Sequence, residues 1–146
     1  MKTVIFDIDG TLADVTHRRH FITDGKKNWT QFNARMGDDV VNSAVVELYH
    51  TLWESRKYDI IIVTGRSEEF RKVTEQWLTW NHIPFNRLMM RKARDNRRDS
   101  IVKQDILNEL KSEGKKIVFA VDDRQQVVDM WRRNGITCLQ CDEGQF

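Results

Sequence analysis

The sequence predicts an α/β domain: a five-stranded parallel sheet with helices on both faces and a small insert after the first strand. Three observations carry this. Short apolar, β-branched runs recur along the chain, amphipathic stretches at helical spacing separate them, and polar side chains follow three of the runs directly. Apolar strands alternating with helices belong to parallel sheets covered on both faces. Right-handed crossovers bring the strand C-termini to one edge, and ligands of such sheets bind in the crevice beyond it.

The elements follow in order. Residues 3–6 are apolar and β-branched and run into acid, which reads as a buried strand. Over about 14–41 the pattern breaks into polar, basic and aromatic residues with Gly25 and Gly37, which marks the insert. Val45, Leu48, Tyr49 and Leu52 then fall at helical spacing, with Asn42 or Ser43 as the cap. Residues 59–64 (DIIIVT) form the second strand. Ser67, Glu68 and Glu69 start a helix carried on by Phe70, Val73, Trp77 and Leu78, and its first-turn acids suit the helix dipole. Pro84 lies in a loop before a weak strand at 88–90. A helix over about 100–111, a strand at 117–121, the helix Gln125–Arg133 with an Asn134-Gly135 stop, and a short strand at Thr137–Gln140 complete the pattern.

A length of 146 residues fits one domain and suffices to bury a core without disulfides. A 40% hydrophobic share argues against disorder. No apolar run approaches the length that crosses a bilayer, so no membrane association is expected. The start, MKTVIFDIDG, carries acids at 7 and 9 and no cleavage site, so it does not read as a signal peptide. With two Cys and no export signal, a reducing cytoplasmic location is expected. The balance of 24 Lys and Arg against 22 Asp and Glu is too even to argue for nucleic acid, so that case must rest on local clustering.

Chemistry gathers at the strand ends. Asp7-Ile8-Asp9-Gly10-Thr11 follows the first strand, Thr64-Gly65-Arg66 the second, and Asp122-Asp123-Arg124 the fourth. At ordinary residue frequencies, Asp-x-Asp-Gly-Thr arises by chance on the order of once in a thousand chains of this size, so its place after a predicted strand carries weight. Four carboxylates on one edge repel one another unless a cation sits among them. Their hard oxygens suit Mg²⁺ better than Zn²⁺. Asp7 and Asp9, two apart, point the same way in extended chain, and Gly10 permits a turn beyond them. One carboxylate can attack phosphorus while its neighbour handles the proton. The Thr64 hydroxyl can donate to a phosphoryl oxygen, and Gly65 lets backbone N–H groups approach the same anion. Lys103 is the candidate cation for the transferring group. Asp99, four residues earlier on the same helical face, is placed to hold it.

These residues resemble the four motifs of the haloacid dehalogenase (HAD) superfamily of phosphatases. A closer resemblance is to the phosphatase halves of bacteriophage polynucleotide kinase/3′-phosphatases. It lies in VIFDIDGTLADV, VVELYHTLWESRKYDIIIVTGR, RRDSIVK, VDDRQQVVDMWRRNGITCLQC and a GQF ending. The resemblance implies a Rossmann-like sheet of strand order 5-4-1-2-3 and bound Mg²⁺. It implies Asp7 as nucleophile and Asp9 as general acid/base, with Thr64 and Lys103 also catalytic. Metal contacts are implied from Asp7, the Asp9 carbonyl, Asp122 and Asp123. Arg18, Arg66 and Asp99 are implied to serve the site, with Thr11 and Gly65 counted in the phosphate-binding set. One domain over 1–146 is expected, with a cap at about 14–41. No G-x-x-x-x-G-K-[ST] loop is present, so no kinase half is expected. Residues 16–39, where the cap lies, depart from the family pattern.

The implied activity is a Mg²⁺-dependent phosphomonoesterase that takes the 3′-phosphate from nucleic acid ends or nucleotides through an aspartyl-phosphate. The alternatives are a mononucleotidase for nucleoside 5′- or 3′-monophosphates and a non-catalytic binding module on the same scaffold. The insert supplies His17, Arg18, Arg19, His20, Lys26, Lys27, Trp29, Phe32 and Arg35, which either hold a phosphate and stack on a base or pack on the core. Arg18 is preferred to Arg19 because its distance from Asp7 matches the family pattern. Residues 87–103 hold seven Lys or Arg and two Asp, a funnel for anionic substrates. Cys138 and Cys141 are expected as free thiols. Trp53, Trp77, Trp80 and Trp131 are expected in packing, and His50 and His82 show no evident partner. The oligomeric state is left open.

Overall fold

The computed structural model describes residues 1–144, so the last two residues of the GQF ending lie outside the described residues. In chain order the elements are β1 (Lys2–Phe6), β2 (Ala13–Asp14), α1 (Thr16–Thr23), α2 (Trp29–Ala34), β3 (Val40–Val41), α3 (Ser43–Ser55), β4 (Tyr58–Ser67), α4 (Arg71–Trp80), β5 (Arg87–Arg91), α5 (Asp99–Ser112), β6 (Ile117–Asp122), α6 (Gln125–Arg133) and β7 (Thr137–Gln140). Five of the strands pair in parallel in the order β5-β4-β1-β6-β7. Numbered among themselves and read from the β7 edge, this is the expected 5-4-1-2-3. β2 and β3 pair antiparallel and close the insert at its base.

The sheet sorts side chains by alternation. Val4, Phe6, Ile60 and Ile62 share a core with Val45 and Tyr49 of α3 and Trp77 and Leu78 of α4. Ile5, Ile61 and Val63 face the other way, against Val102, Leu107 and Leu110 of α5 and Val128 and Trp131 of α6. Phe6 and Tyr49 meet edge to face at 4.9 Å. The buried Tyr49 hydroxyl donates to the Pro84 carbonyl at 2.5 Å. No helix among the described residues is long and apolar enough to cross a membrane.

Some expectations need correction. β4 runs on to Ser67 rather than stopping at Thr64, because after a register shift beyond Val63 it pairs again, Ser67 with Arg91. A 3₁₀ turn at Glu68–Phe70, capped by the Ser67 hydroxyl accepting from the Glu69 N–H at 3.3 Å, precedes α4. Trp80 is not packing, since it is 86% exposed in the last turn of α4. His50 has a partner: its Nε2 lies 2.7 Å from the His82 carbonyl. Cys138 and Cys141 are free thiols.

Candidate active site

Parallel pairing brings the ends of β1, β4 and β6 together, and a cleft of about 710 Å³ opens there. Asp7, Asp9, Gly65, Arg66, Asp99, Asp122 and Asp123 all line it. Thr11, Arg18, Thr64 and Lys103 stand directly behind, each at most 1% exposed.

The centre is one ammonium among three acids. Lys103 Nζ donates to Asp7 Oδ1 at 2.8 Å and to Asp122 Oδ2 at 3.0 Å. The Trp131 indole N–H reaches the same Asp122 oxygen at 3.2 Å, and the Asp123 N–H donates to Asp122 Oδ1 at 2.9 Å. Thr11 Oγ lies 3.0 Å from Asp7 Oδ2 and 3.4 Å from Asp123 Oδ1, so its single proton serves one of them at a time. Gly10 turns the chain with φ +82°, and any Cβ there would collide with the Asp123 carboxylate.

Charge and hydrogen bonding both leave room for a cation. Asp7, Asp122 and Asp123 each offer an oxygen within 4.8 Å of the others. Against Lys103 alone, three carboxylates carry two uncompensated negative charges, the charge of one divalent ion. Asp123 Oδ2 is buried without a hydrogen-bond partner among the described residues. Burial first, and the Asp122 charge second, push the Asp123 carboxyl up to about 7. The same causes raise Asp7 well above the usual carboxylate range. Burial opposes the charge on Lys103, but Asp122 and Asp7 outweigh it and raise its pKa. The residues present therefore fit a hard divalent cation.

Asp9 belongs to a second assembly. Arg66 Nη2 donates to Asp9 Oδ1 at 2.6 Å and Arg18 Nη2 to the same oxygen at 2.7 Å. Burial works against the Asp9 charge, but Arg66 and then Arg18 overcome it and hold the carboxyl well below its usual range. The expectation that Asp7 and Asp9 point the same way thus divides: both side chains reach the cleft, but they take different partners. Asp39 completes the assembly. Its Oδ1 accepts from Arg18 Nε at 2.8 Å and lies 2.7 Å from His17 Nε2, and its Oδ2 accepts from Arg18 Nη2 at 2.7 Å and Arg66 Nη2 at 3.3 Å. Two acids and two guanidinium groups balance, so the quartet is neutral.

Asp99 does not hold Lys103. As the first residue of α5 it accepts from Arg91 at 2.6 Å and Arg124 at 3.1 Å. Gly65 makes the approach possible, since a Cβ there would strike the Asp99 carboxylate. Arg91 also donates to the carbonyls of Gly65, Asp95 and Arg97, which ties the basic loop to β4. Thr64 Oγ accepts from the Arg66 N–H at 3.2 Å. Of the two readings of the insert, Phe32 supports packing at 3% exposed, whereas Trp29 stands at the cleft rim 42% exposed. Sequence reasoning missed Asp39, and it named Arg91, Arg124 and Trp131 without foreseeing that the first two hold Asp99 and the third donates to Asp122. Only Trp131 carried a usable signal, because a buried indole N–H needs an acceptor.

The arrangement offers a carboxylate oriented by an ammonium and a hydroxyl, an acid triad that fits a divalent cation, and an arginine-held carboxylate beside it. Comparison with known proteins agrees with this chemistry. The family model described as the polynucleotide kinase PNKP phosphatase domain matches residues 1–146. A chain in a solved Pnkp1/Rnl/Hen1 RNA repair complex is 33% identical, with a TM-score of 0.81 over 99% of this chain and 43% of that one. In a second Pnkp1/Rnl/Hen1 complex the identity is again 33% and the TM-score 0.81, over 99% of this chain and 47% of that one. This chain therefore spans less than half the length of those relatives. A haloacid dehalogenase-like hydrolase, SP0104 of Streptococcus pneumoniae, shares the fold at 14% identity and a TM-score of 0.65, over 96% of this chain and 84% of that one. Motif, sheet edge and whole-length match converge, and the chain belongs to the PNKP phosphatase-domain family of HAD-type phosphatases.

Proposed function

We propose that this protein is a Mg²⁺-dependent phosphomonoesterase that removes the 3′-phosphate from nucleic acid ends. The observation that supports it is the setting of Asp7: Lys103 holds one carboxylate oxygen, Thr11 can hold the other, and the side chain faces a cleft with a cation-binding triad. A Mg²⁺ ion held by Asp7, Asp122 and Asp123, with the Asp9 carbonyl, would supply positive charge to the transferring phosphoryl group.

An Asp7 oxygen attacks phosphorus in line, the bond to the ribose oxygen breaks, and Asp9 gives that oxygen a proton. Water then attacks the aspartyl-phosphate, Asp9 takes its proton, and phosphate leaves with Asp7 restored. Lys103 and the Thr64 hydroxyl offset the charge that develops on the phosphoryl oxygens. Arg18 and Arg66 hold Asp9 as the carboxylate, the form that accepts the proton from water. An arriving phosphate competes for those guanidinium groups, which frees Asp9 to take a proton from solvent and give it to the leaving oxygen.

The cleft wall supports a polynucleotide over a mononucleotide. Arg94 and Arg98 line it with no acidic partner among the described residues, whereas Arg91 and Arg124 are held by Asp99 and Arg97 by Asp95 and Asp105. The test is phosphate release, with Mg²⁺, from 3′-phosphorylated RNA and DNA oligonucleotides and from 3′- and 5′-mononucleotides. The oligonucleotides are expected to give the higher kcat/KM, and their advantage to shrink as salt rises. Faster turnover of the mononucleotides would support a mononucleotidase instead, and no hydrolysis of any substrate would leave a binding module.

A further inference from the structure

We infer that Trp29, on the cap, is the stacking platform for the base of the terminal nucleotide and so determines specificity for a nucleoside leaving group over a base-free one; this rests on the 3′-phosphatase reading above. Three contacts in series place it. The Trp29 ring meets Phe32 edge to face, with centroids 5.5 Å apart and planes at 89°. Phe32 is buried, and the Arg18 guanidinium lies 4.2 Å from its ring centroid. Arg18 in turn donates to Asp9. The exposed indole is thereby fixed relative to the group that protonates the leaving oxygen.

The direction follows from that proton. Asp9 serves the oxygen of the departing ribose, so the departing nucleoside lies on the Asp9 side of the phosphorus. From Asp9 the contacts lead through Arg18 and Phe32 to Trp29, the large aromatic that the cap leaves at the rim of the same cleft. A base has a π face whatever its identity, so stacking on an indole recognises a nucleotide without reading its sequence. Lys27 Nζ stands 5.8 Å from the Trp29 centroid. Its flexible stem lets the ammonium leave the ring for a phosphate when a base arrives.

The experiment compares two 3′-phosphorylated oligonucleotides, one complete and one with an abasic terminal residue, against the native protein, Trp29→Ala and Trp29→Phe. Trp29→Ala is expected to lower kcat/KM for the complete strand on the order of tenfold, mainly through KM. Trp29→Phe recovers most of the loss, and the preference for the complete over the abasic strand falls in Trp29→Ala and returns in Trp29→Phe. Equal losses on both strands, or no loss on the complete strand, overturn the platform while the 3′-phosphatase reading stands. If the native protein hydrolyses neither strand, that reading falls and takes the platform with it.

Discussion

Lys103 donates to Asp7 across 2.8 Å although 96 positions separate them in the chain. Both side chains are buried, at 1% and 7% exposed. Neither charge would survive there alone, because an isolated buried ion costs far more than it gains. The pair also fixes which way the Asp7 carboxylate faces, since an ammonium and a hydroxyl each take one of its oxygens.

Two substitutions separate chemistry from stability at this pair. Asp7→Asn removes the proposed nucleophile and one of three mutually repelling acids, so phosphate release should fall to background while Tm holds or rises. Lys103→Met leaves Asp7, Asp122 and Asp123 without their ammonium. Breaking a buried pair in this way costs about 3–5 kcal/mol, or a Tm lower by roughly 10–16 °C for a chain of this size. Thermal scans and phosphate release on both variants check this. Appreciable turnover by Asp7→Asn would refute the nucleophile.

The acid triad also predicts a pH dependence. Asp123 is pushed up to about 7, burial first and Asp122 second, against an ordinary value of 3.8. Across that window the folded protein binds more protons than the unfolded chain, so this group's contribution to stability is lost as pH rises and regained on acidification. Asp7 shifts in the same direction. Asp9 shifts the other way, and its contribution is lost only below its ordinary value of 3.8. Protein stripped with EDTA should therefore show Tm rising as pH falls from 7 toward 5. Added Mg²⁺ should raise Tm most at neutral pH, where the carboxyls are ionised to receive it. A Tm indifferent to Mg²⁺ at neutral pH would count against the cation site.

Local pattern carried most of the sheet and its reactive edge, because both depend on short runs. The residues at 59–64 can form only a strand buried on both faces, and Asp-x-Asp-Gly-Thr announces the turn that follows β1. Pairing between distant side chains was another matter. Helical spacing set Asp99 beneath Lys103, yet the absence of a Gly65 side chain opens a place for Asp99 between Arg91 and Arg124. Lys103 turns instead to acids delivered by β1 and β6. Trp77, Trp80 and Trp131 share the same residue type on helices, but only neighbours decide that Trp80 meets solvent while Trp131 donates to Asp122. Asp39 follows a polar stretch and looks solvated in the sequence. Its burial depends on two arginines, one from the cap and one from β4.

That burial makes Asp39 the most sensitive acid outside the cleft. It is 6% exposed, and its two oxygens accept from Arg18, Arg66 and His17 while its carbonyl accepts from the Trp77 indole at 2.8 Å. Asp39→Asn turns one acceptor into a donor facing guanidinium donors and leaves two cations to share the single charge of Asp9. The expected cost is again about 3–5 kcal/mol. Activity should fall further than stability explains, because Arg18 and Arg66 lose the group that aims them at Asp9. Measured where the variant remains folded, kcat should drop at least tenfold, and saturating Mg²⁺ should not restore it, since Asp39 does not touch the cation triad. Wild-type kcat in a folded Asp39→Asn protein would show that the two arginines orient Asp9 without help from Asp39.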